Sequence, residues 1–161
     1  MVGVTDVDVA ELARRVARLE AIEIAKVTSA RYGRACDAKD VGALRTDVFT
    51  PDVVLRLPNG TERGIEAVAA AYAKAFAAEP GIRRHYMINH VADVDDDGEV
   101  RMDSYFFFVS QDRDSVLGWG GYRDVIVIEG GVGRIRDKTI LIDVYTTLDA
   151  GWALGEAAGQ V

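Results

Sequence analysis

Apolar residues recur at helical spacing through residues 8–37. Leu12, Val16 and Leu19 open a stripe that Ile22, Ala25, Ser29, Tyr32 and Cys36 continue. Its phase shifts near Arg18-Leu19-Glu20, a pattern that fits either one rod or two helical segments with a bend. Asp6 or Asp8 is placed to cap the start, because a short carboxylate accepts bonds from the free N–H groups there. Asp37-Ala38-Lys39-Asp40 closes the helix, and a short helical turn is expected from Val41 to Asp47. A second amphipathic helix is written by Ile65, Val68, Tyr72 and Phe76 and ended by Pro80-Gly81.

The remaining segments alternate in the manner of strands. Thr50-Pro51-Asp52 reads as a turn and Val53–Leu57 as a short strand. Pro58-Asn59-Gly60-Thr61 reads as a hairpin turn in which Asn-Gly supplies positive φ angles. After the second helix come a strand from Arg83 to about Val94, a turn at Asp95–Gly98 and a strand over Glu99–Ser110. A polar loop at Gln111–Ser115, a strand over Val116–Ile128, a turn at Glu129-Gly130-Gly131 and a last strand over Gly133–Thr147 follow. Connections this short imply antiparallel neighbours. The expected architecture is α+β, with a curved antiparallel sheet wrapped over helices and a conical cavity between them. We expect a tail at 1–7, a single domain at 8–148 and a second tail at 149–161.

Composition narrows the function. A net charge of −7 argues against a nucleic-acid or anionic-membrane surface. No apolar run is long enough to span a bilayer, and the acidic N-terminus lacks the features of a signal peptide, so a cytoplasmic location is the default expectation. Cys36 stands alone and reads as a buried small residue. Asp95-Asp96-Asp97-Gly98 lacks the spacing of a calcium loop and reads as a solvated turn. Gly118-Trp119-Gly120-Gly121 lies inside a strand and reads as a bulge or close backbone approach. No metal and no cofactor is expected.

The chemistry concentrates in Arg83-Arg84-His85-Tyr86-Met87-Ile88-Asn89-His90-Val91, which holds both histidines. Alternation puts Arg83, His85, Met87 and Asn89 on one face and Arg84, Tyr86, Ile88 and His90 on the other. The first face suits a pocket of apolar groups with a few polar ones. An imidazole with a pKa near 6.5 takes a proton at neutral pH without metal help, although a His bonded only to its sheet neighbours has the same sequence. Asn89 reads equally as a substrate-orienting group or as a partner for the backbone, and His90 reads as structural. Leu55, Leu57, Ser104, Phe106, Phe108, Tyr122, Ile140 and Ile142 are the candidate lining, each with ordinary core as its plainer reading.

Three stretches carry a resemblance: Tyr32-Gly33-Arg34-Ala35-Cys36-Asp37, His85-Tyr86-Met87-Ile88-Asn89, and Gly121-Tyr122-Arg123-Asp124 with the last strand through Lys138. With the element order, they resemble the SnoaL-like branch of the nuclear transport factor 2 (NTF2)-like superfamily over roughly residues 8–148. That branch includes scytalone dehydratase, bile acid 7α-dehydratase and hexachlorocyclohexane dehydrochlorinase. The resemblance implies a cone-shaped barrel in which His85 is the base, Asp37 supports it and Tyr32 assists. It places Phe106 and Phe108 inward, and Lys138 near a position where some members carry Arg, a change that loses bidentate geometry.

The expected function is a cofactor-independent lyase or isomerase, dehydratase-like, acting on a hydrophobic cyclic small molecule. Alternatives are a binding module without chemistry, a polyketide-cyclase-like enzyme, and the small subunit of a ring-hydroxylating oxygenase. Outward aromatics on the Tyr105/Phe107 strand call for cover, which suggests a homo-oligomer, dimer or trimer, built through the outer sheet face.

Overall fold

A computed structural model describes residues 8–111 and 115–147. Both expected tails therefore lie outside the described residues, as does most of the polar loop after Gln111.

Helix α1 runs unbroken from Val9 to Ala38, so the phase shift in its stripe marks a rod and not a bend. Asp8 caps it, its carboxylate accepting from the N–H groups of Ala10 and Glu11. Lys39 ends it in the left-handed region at φ 54°. Burial corrects the stripe: Ala25, Ser29, Tyr32 and Cys36 are buried, whereas Leu12, Val16 and Leu19 are exposed. The first half of α1 runs beyond the body that the second half packs on. A short helix α2 (Val41–Ala43) and a π-helical turn (Leu44–Val48) lead into the sheet.

The strands are β1 (Phe49–Leu57), β2 (Gly60–Arg63), β3 (Ile82–Val94), β4 (Val100–Gln111), β5 (Ser115–Glu129) and β6 (Val132–Thr147), with α3 (Ile65–Ala78) between β2 and β3. They form one six-stranded sheet in the order β2-β1-β6-β5-β4-β3. The sheet is mixed, which corrects the all-antiparallel expectation: β1 pairs with β6 in parallel. These two strands are remote in sequence, so no hairpin dictates their direction. Thr50-Pro51-Asp52 is not a turn but an irregular part of β1, where the register against β6 shifts between Phe49 and Val54.

The turns divide by chemistry. Leu57 pairs with Gly60, so the first hairpin loop is Pro58-Asn59, and neither Asn59 nor Gly60 has positive φ. Proline at the first loop position fixes φ near −65° and excludes the turn that Asn-Gly would otherwise make. Gly130 and Gly131, at φ 57° and 78°, supply that geometry between β5 and β6. At Asp95 the carboxylate accepts from the N–H groups of Asp97 and Glu99, so this acidic run ties its own turn.

The core lies between the concave face of the sheet and the two long helices. Phe49, Val53, Leu55, Val68, Val100, Met102, Ile126 and Ile135 are buried there. Gly118 and Gly120 stay small because a Cβ on Gly118 would press on the Phe108 ring, and one on Gly120 would meet the Leu141 backbone carbonyl. Opposite them, β6 makes a bulge, since Trp119 pairs with Val144 and Gly120 with Ile142.

Candidate active site

His85 sits on the concave face of β3, where the end of α1 crosses it. The approach is close because α1 carries Gly33 there: a Cβ would come within 2.9 Å of Met87 Cε and 3.8 Å of His85 Cβ. Asp37, in the last turn of α1, therefore meets residue 85 directly. Its Oδ1 lies 2.7 Å from His85 Nδ1. The same carboxylate accepts the His85 backbone N–H at 3.0 and 3.2 Å. That second bond compensates a carboxylate placed at the unfavourable end of the helix dipole.

A carboxylate accepts, so Nδ1 carries the proton and Nε2 is left with its lone pair. No described residue bonds to Nε2. Burial lowers the His85 pKa below its ordinary value; the bond to Asp37 pulls it back up, and Arg83 and Lys138 lower it further. The imidazole is thus neutral at pH 7, oriented and able to accept a proton at Nε2. Phe108 flanks it, the ring centroids 5.7 Å apart.

A file of aromatic rings leads from His85 into the cone. Phe108 stacks with Phe106 at 6.3 Å and Phe106 with Tyr122 at 4.4 Å. Tyr122 meets Tyr32 edge-on at 5.6 Å. The Tyr32 and Tyr72 hydroxyls share a hydrogen bond of 3.0 Å. Burial raises the Tyr32 pKa well above the usual value, so it stays a phenol. Tyr32 belongs to this inner cluster; its hydroxyl is bonded to Tyr72 and not to the His85–Asp37 pair.

Lys138 also belongs to that cluster. It is wholly buried, with Nζ 3.0 and 3.1 Å from the two Asp124 carboxylate oxygens. The ammonium lies 3.6 Å from the Tyr122 ring centroid and 4.1 Å from that of Tyr32. Burial pushes Lys138 down and Asp124 up, and each partner opposes the other's drift toward neutrality. Lys138, expected among the substrate-binding residues, is thus bonded to Asp124 within the core.

Asn89, expected in the same set, is exposed. Its φ is 55°, and β3 makes a bulge there against β4, since Ile88 pairs with Tyr105 but Val91 with Asp103. The extra residue exposes Asn89 and reverses the alternation. His90 consequently turns to the partly buried side, where its Nε2 lies 3.2 Å from Ser29 Oγ.

The other expected lining residues face the interior. Leu55, Ser104, Phe106, Phe108 and Tyr122 are buried, and Leu57, Met87, Ile140 and Ile142 are partly buried against the core. Large rings thus occupy much of the cone where an open pocket was expected. The Ser104 hydroxyl is buried among them and has no hydrogen-bond partner among the described residues.

Sequence reasoning missed the rim. Arg83, two residues before His85 on the same face, pairs with Glu79 at the end of α3 and lies 5.3 Å over the Phe108 ring. Its Nε is buried and has no hydrogen-bond partner among the described residues. Tyr145 reaches Glu79 at 3.4 Å from β6. A cavity of about 330 Å³ opens beside this cluster, lined in part by Arg83, Ser110 and Val116. The signal was the Arg83/His85 alternation, which was legible; Glu79 was hidden because a helix-ending residue announces no partner.

Solved structures share this fold. Aln2 from a Streptomyces species is 24% identical with a TM-score of 0.68, over 74% of this chain and 88% of that one. A putative scytalone dehydratase from Novosphingobium aromaticivorans is 16% identical with a TM-score of 0.71, over 86% of this chain and 93% of that one. LinA is 19% identical with a TM-score of 0.68, over 89% of this chain and 95% of that one. No curated protein matches the chain. At the sequence level the SnoaL-like domain matches residues 17–139, most of the described fold, and the chain belongs to that family.

Proposed function

We propose that this protein is a cofactor-independent lyase or isomerase in which His85 removes a proton from a hydrophobic, ring-containing small molecule. The observation that carries the reading is the pair of bonds from residue 85 to one carboxylate, ring Nδ1 at 2.7 Å and backbone N–H at 3.0 Å. This arrangement fixes the tautomer, aims Nε2 away from Asp37 and stabilises the imidazolium as it forms. The aromatic wall of Phe108, Phe106 and Tyr122 suits a flat apolar substrate, and the unpartnered Ser104 hydroxyl offers it one hydrogen bond. Among solved structures of the same fold, one is described as a putative scytalone dehydratase, which agrees with elimination chemistry. Exposed Tyr86, Ile88 and Tyr105 on the convex side of the sheet support assembly of identical subunits through that face.

The test is a screen of cyclic hydroxy- and halo-substituted compounds in deuterated water, reading both product and solvent label at the acidic carbon. Asp37→Asn should keep the fold and lower turnover by about 10²–10⁴. Full turnover by Asp37→Asn would refute the base mechanism. A second reading has its own support: the rings that fill the cone leave more room for binding at the rim than for reaction in depth. Stoichiometric capture of a ligand with neither product nor label exchange would favour that non-catalytic module. A third has a neighbour of the same fold, 19% identical with a TM-score of 0.71, described as a putative aromatic ring hydroxylase. Co-purification with a large iron-containing subunit would favour a small oxygenase subunit. Ring closure without loss of water or halide would favour the cyclase reading.

A further inference from the structure

We propose that the N-terminal half of α1 pairs, in parallel, with the same segment of a second copy of this chain. Every residue from Asp8 to Glu20 is exposed, and the buried face of α1 begins only at Ala25. An isolated helix of that length is marginal in water. Among the described residues, the segment's ties to the body are those of Arg18, which pairs with the Asp93 carboxylate and bonds the Val94 carbonyl at 3.3 Å.

The exposed side is not polar. Val9 is 76% exposed, Leu12 48%, Val16 45% and Leu19 66%. These four fall at alternating steps of three and four, the a and d positions of a heptad. Valine occupies both a positions and leucine both d positions, the combination that favours two parallel strands. The flanking charges agree. Arg15 falls at g and Glu20 at the following e, five residues on, where a parallel partner brings g of one helix against e of the other. Neither Arg15 nor Glu20 has an ion pair among the described residues. By two-fold symmetry, each would gain one. An antiparallel partner would instead face g with g and e with e, leaving Arg15 without Glu20. Beyond Leu19 the same line carries Glu23, Lys26 and Ala30, all exposed, so no described residue of the domain body blocks approach from this side. The apolar seam ends at Glu23, which makes the contact short and the association concentration-dependent. The surface is separate from the convex sheet face.

The experiment is sedimentation equilibrium of the full chain across a concentration series, with circular dichroism to check the fold. The expected result is reversible association that Leu12→Glu with Leu19→Glu reduces by one step, leaving the fold unchanged. Arg15→Glu should weaken that step and the swap Arg15→Glu/Glu20→Arg restore it, each exposed ion pair being worth up to about a factor of five. Leu19→Cys should form a disulfide between copies on mild oxidation, where the native chain, with only buried Cys36, does not. Association unaffected by the paired glutamates overturns the proposal. So does a monomer at all concentrations, including one whose first α1 turns are protected from hydrogen exchange by another part of the same chain. Linkage of Leu19→Cys to Val9→Cys but not to itself would mean an antiparallel pair and would overturn the parallel geometry.

Discussion

Replacing Lys138 by methionine tests the innermost part of the site. The side chain fills similar space, but the Asp124 carboxylate loses both bonds from Nζ, at 3.0 and 3.1 Å, while remaining wholly within the core. Removing one partner of a buried pair costs about 3–5 kcal/mol, because the other charge is left unpaired. The contacts of the ammonium with the Tyr122 and Tyr32 rings add to the loss, each desolvated cation–π contact contributing up to about 2 kcal/mol. A destabilisation of about 3–5 kcal/mol is therefore a floor, and it corresponds to a fall in Tm of roughly 6–20 °C for a chain of this size. Urea titration followed by Trp fluorescence measures it. The double variant Lys138→Met/Asp124→Leu, which removes both charges, should recover most of the loss. Burial raises the Asp124 pKa, and without Lys138 that carboxyl rises further, so the single variant's deficit should shrink as pH falls and the lone acid is protonated. A Lys138→Met variant within about 1 kcal/mol of the parent would refute the buried-pair account. It would favour Lys138 as a substrate-binding residue over a structural one.

Other outcomes follow from the same geometry. Asn89→Gly should leave activity unchanged and stability nearly so, because glycine accepts φ 55° freely; Asn89→Val should cost about 1–3 kcal/mol, with denaturation and steady-state kinetics as readouts. A loss of activity in Asn89→Gly would show that this side chain meets substrate after all. The acidic limb of kcat/KM should have a midpoint below 6.5, since burial lowers the His85 pKa and the free enzyme must hold it neutral. The same shift contributes stability that is present above the unfolded-state pKa, and it is lost as pH falls through the lower folded-state value.

How far the chain was readable depends on which physical signal a residue carries. Helix α3 was legible because Ile65, Val68, Tyr72 and Phe76 need one apolar face and all pack inward. The strands were legible from alternation, and Phe106 and Phe108 fell on the side expected of them. The pairing of His85 with Asp37 came from a family pattern, since no local rule tells a helix-ending carboxylate to bond a residue 48 positions on. Alternation failed at Asn89, where one extra residue moved His90 inward, and a bulge leaves no mark in composition. It also could not separate Lys138 facing a ligand from Lys138 facing Asp124, because both require the concave side. The apolar stripe of α1 was legible, but its exposure at Leu12, Val16 and Leu19 was not: periodicity shows that a helix has an apolar side, not what covers it.

The central claim is that Asp37 holds His85 as a neutral base with Nε2 free. Nitrogen-15 correlation spectra of the imidazole, recorded across a pH series, test it without knowledge of the substrate. The account predicts the Nδ1–H tautomer at pH 7, protonation of Nε2 only below pH 6.5, and loss of that tautomer preference in Asp37→Asn. An Nε2–H tautomer at pH 7, an imidazolium at that pH, or a spectrum indifferent to Asp37→Asn would contradict it.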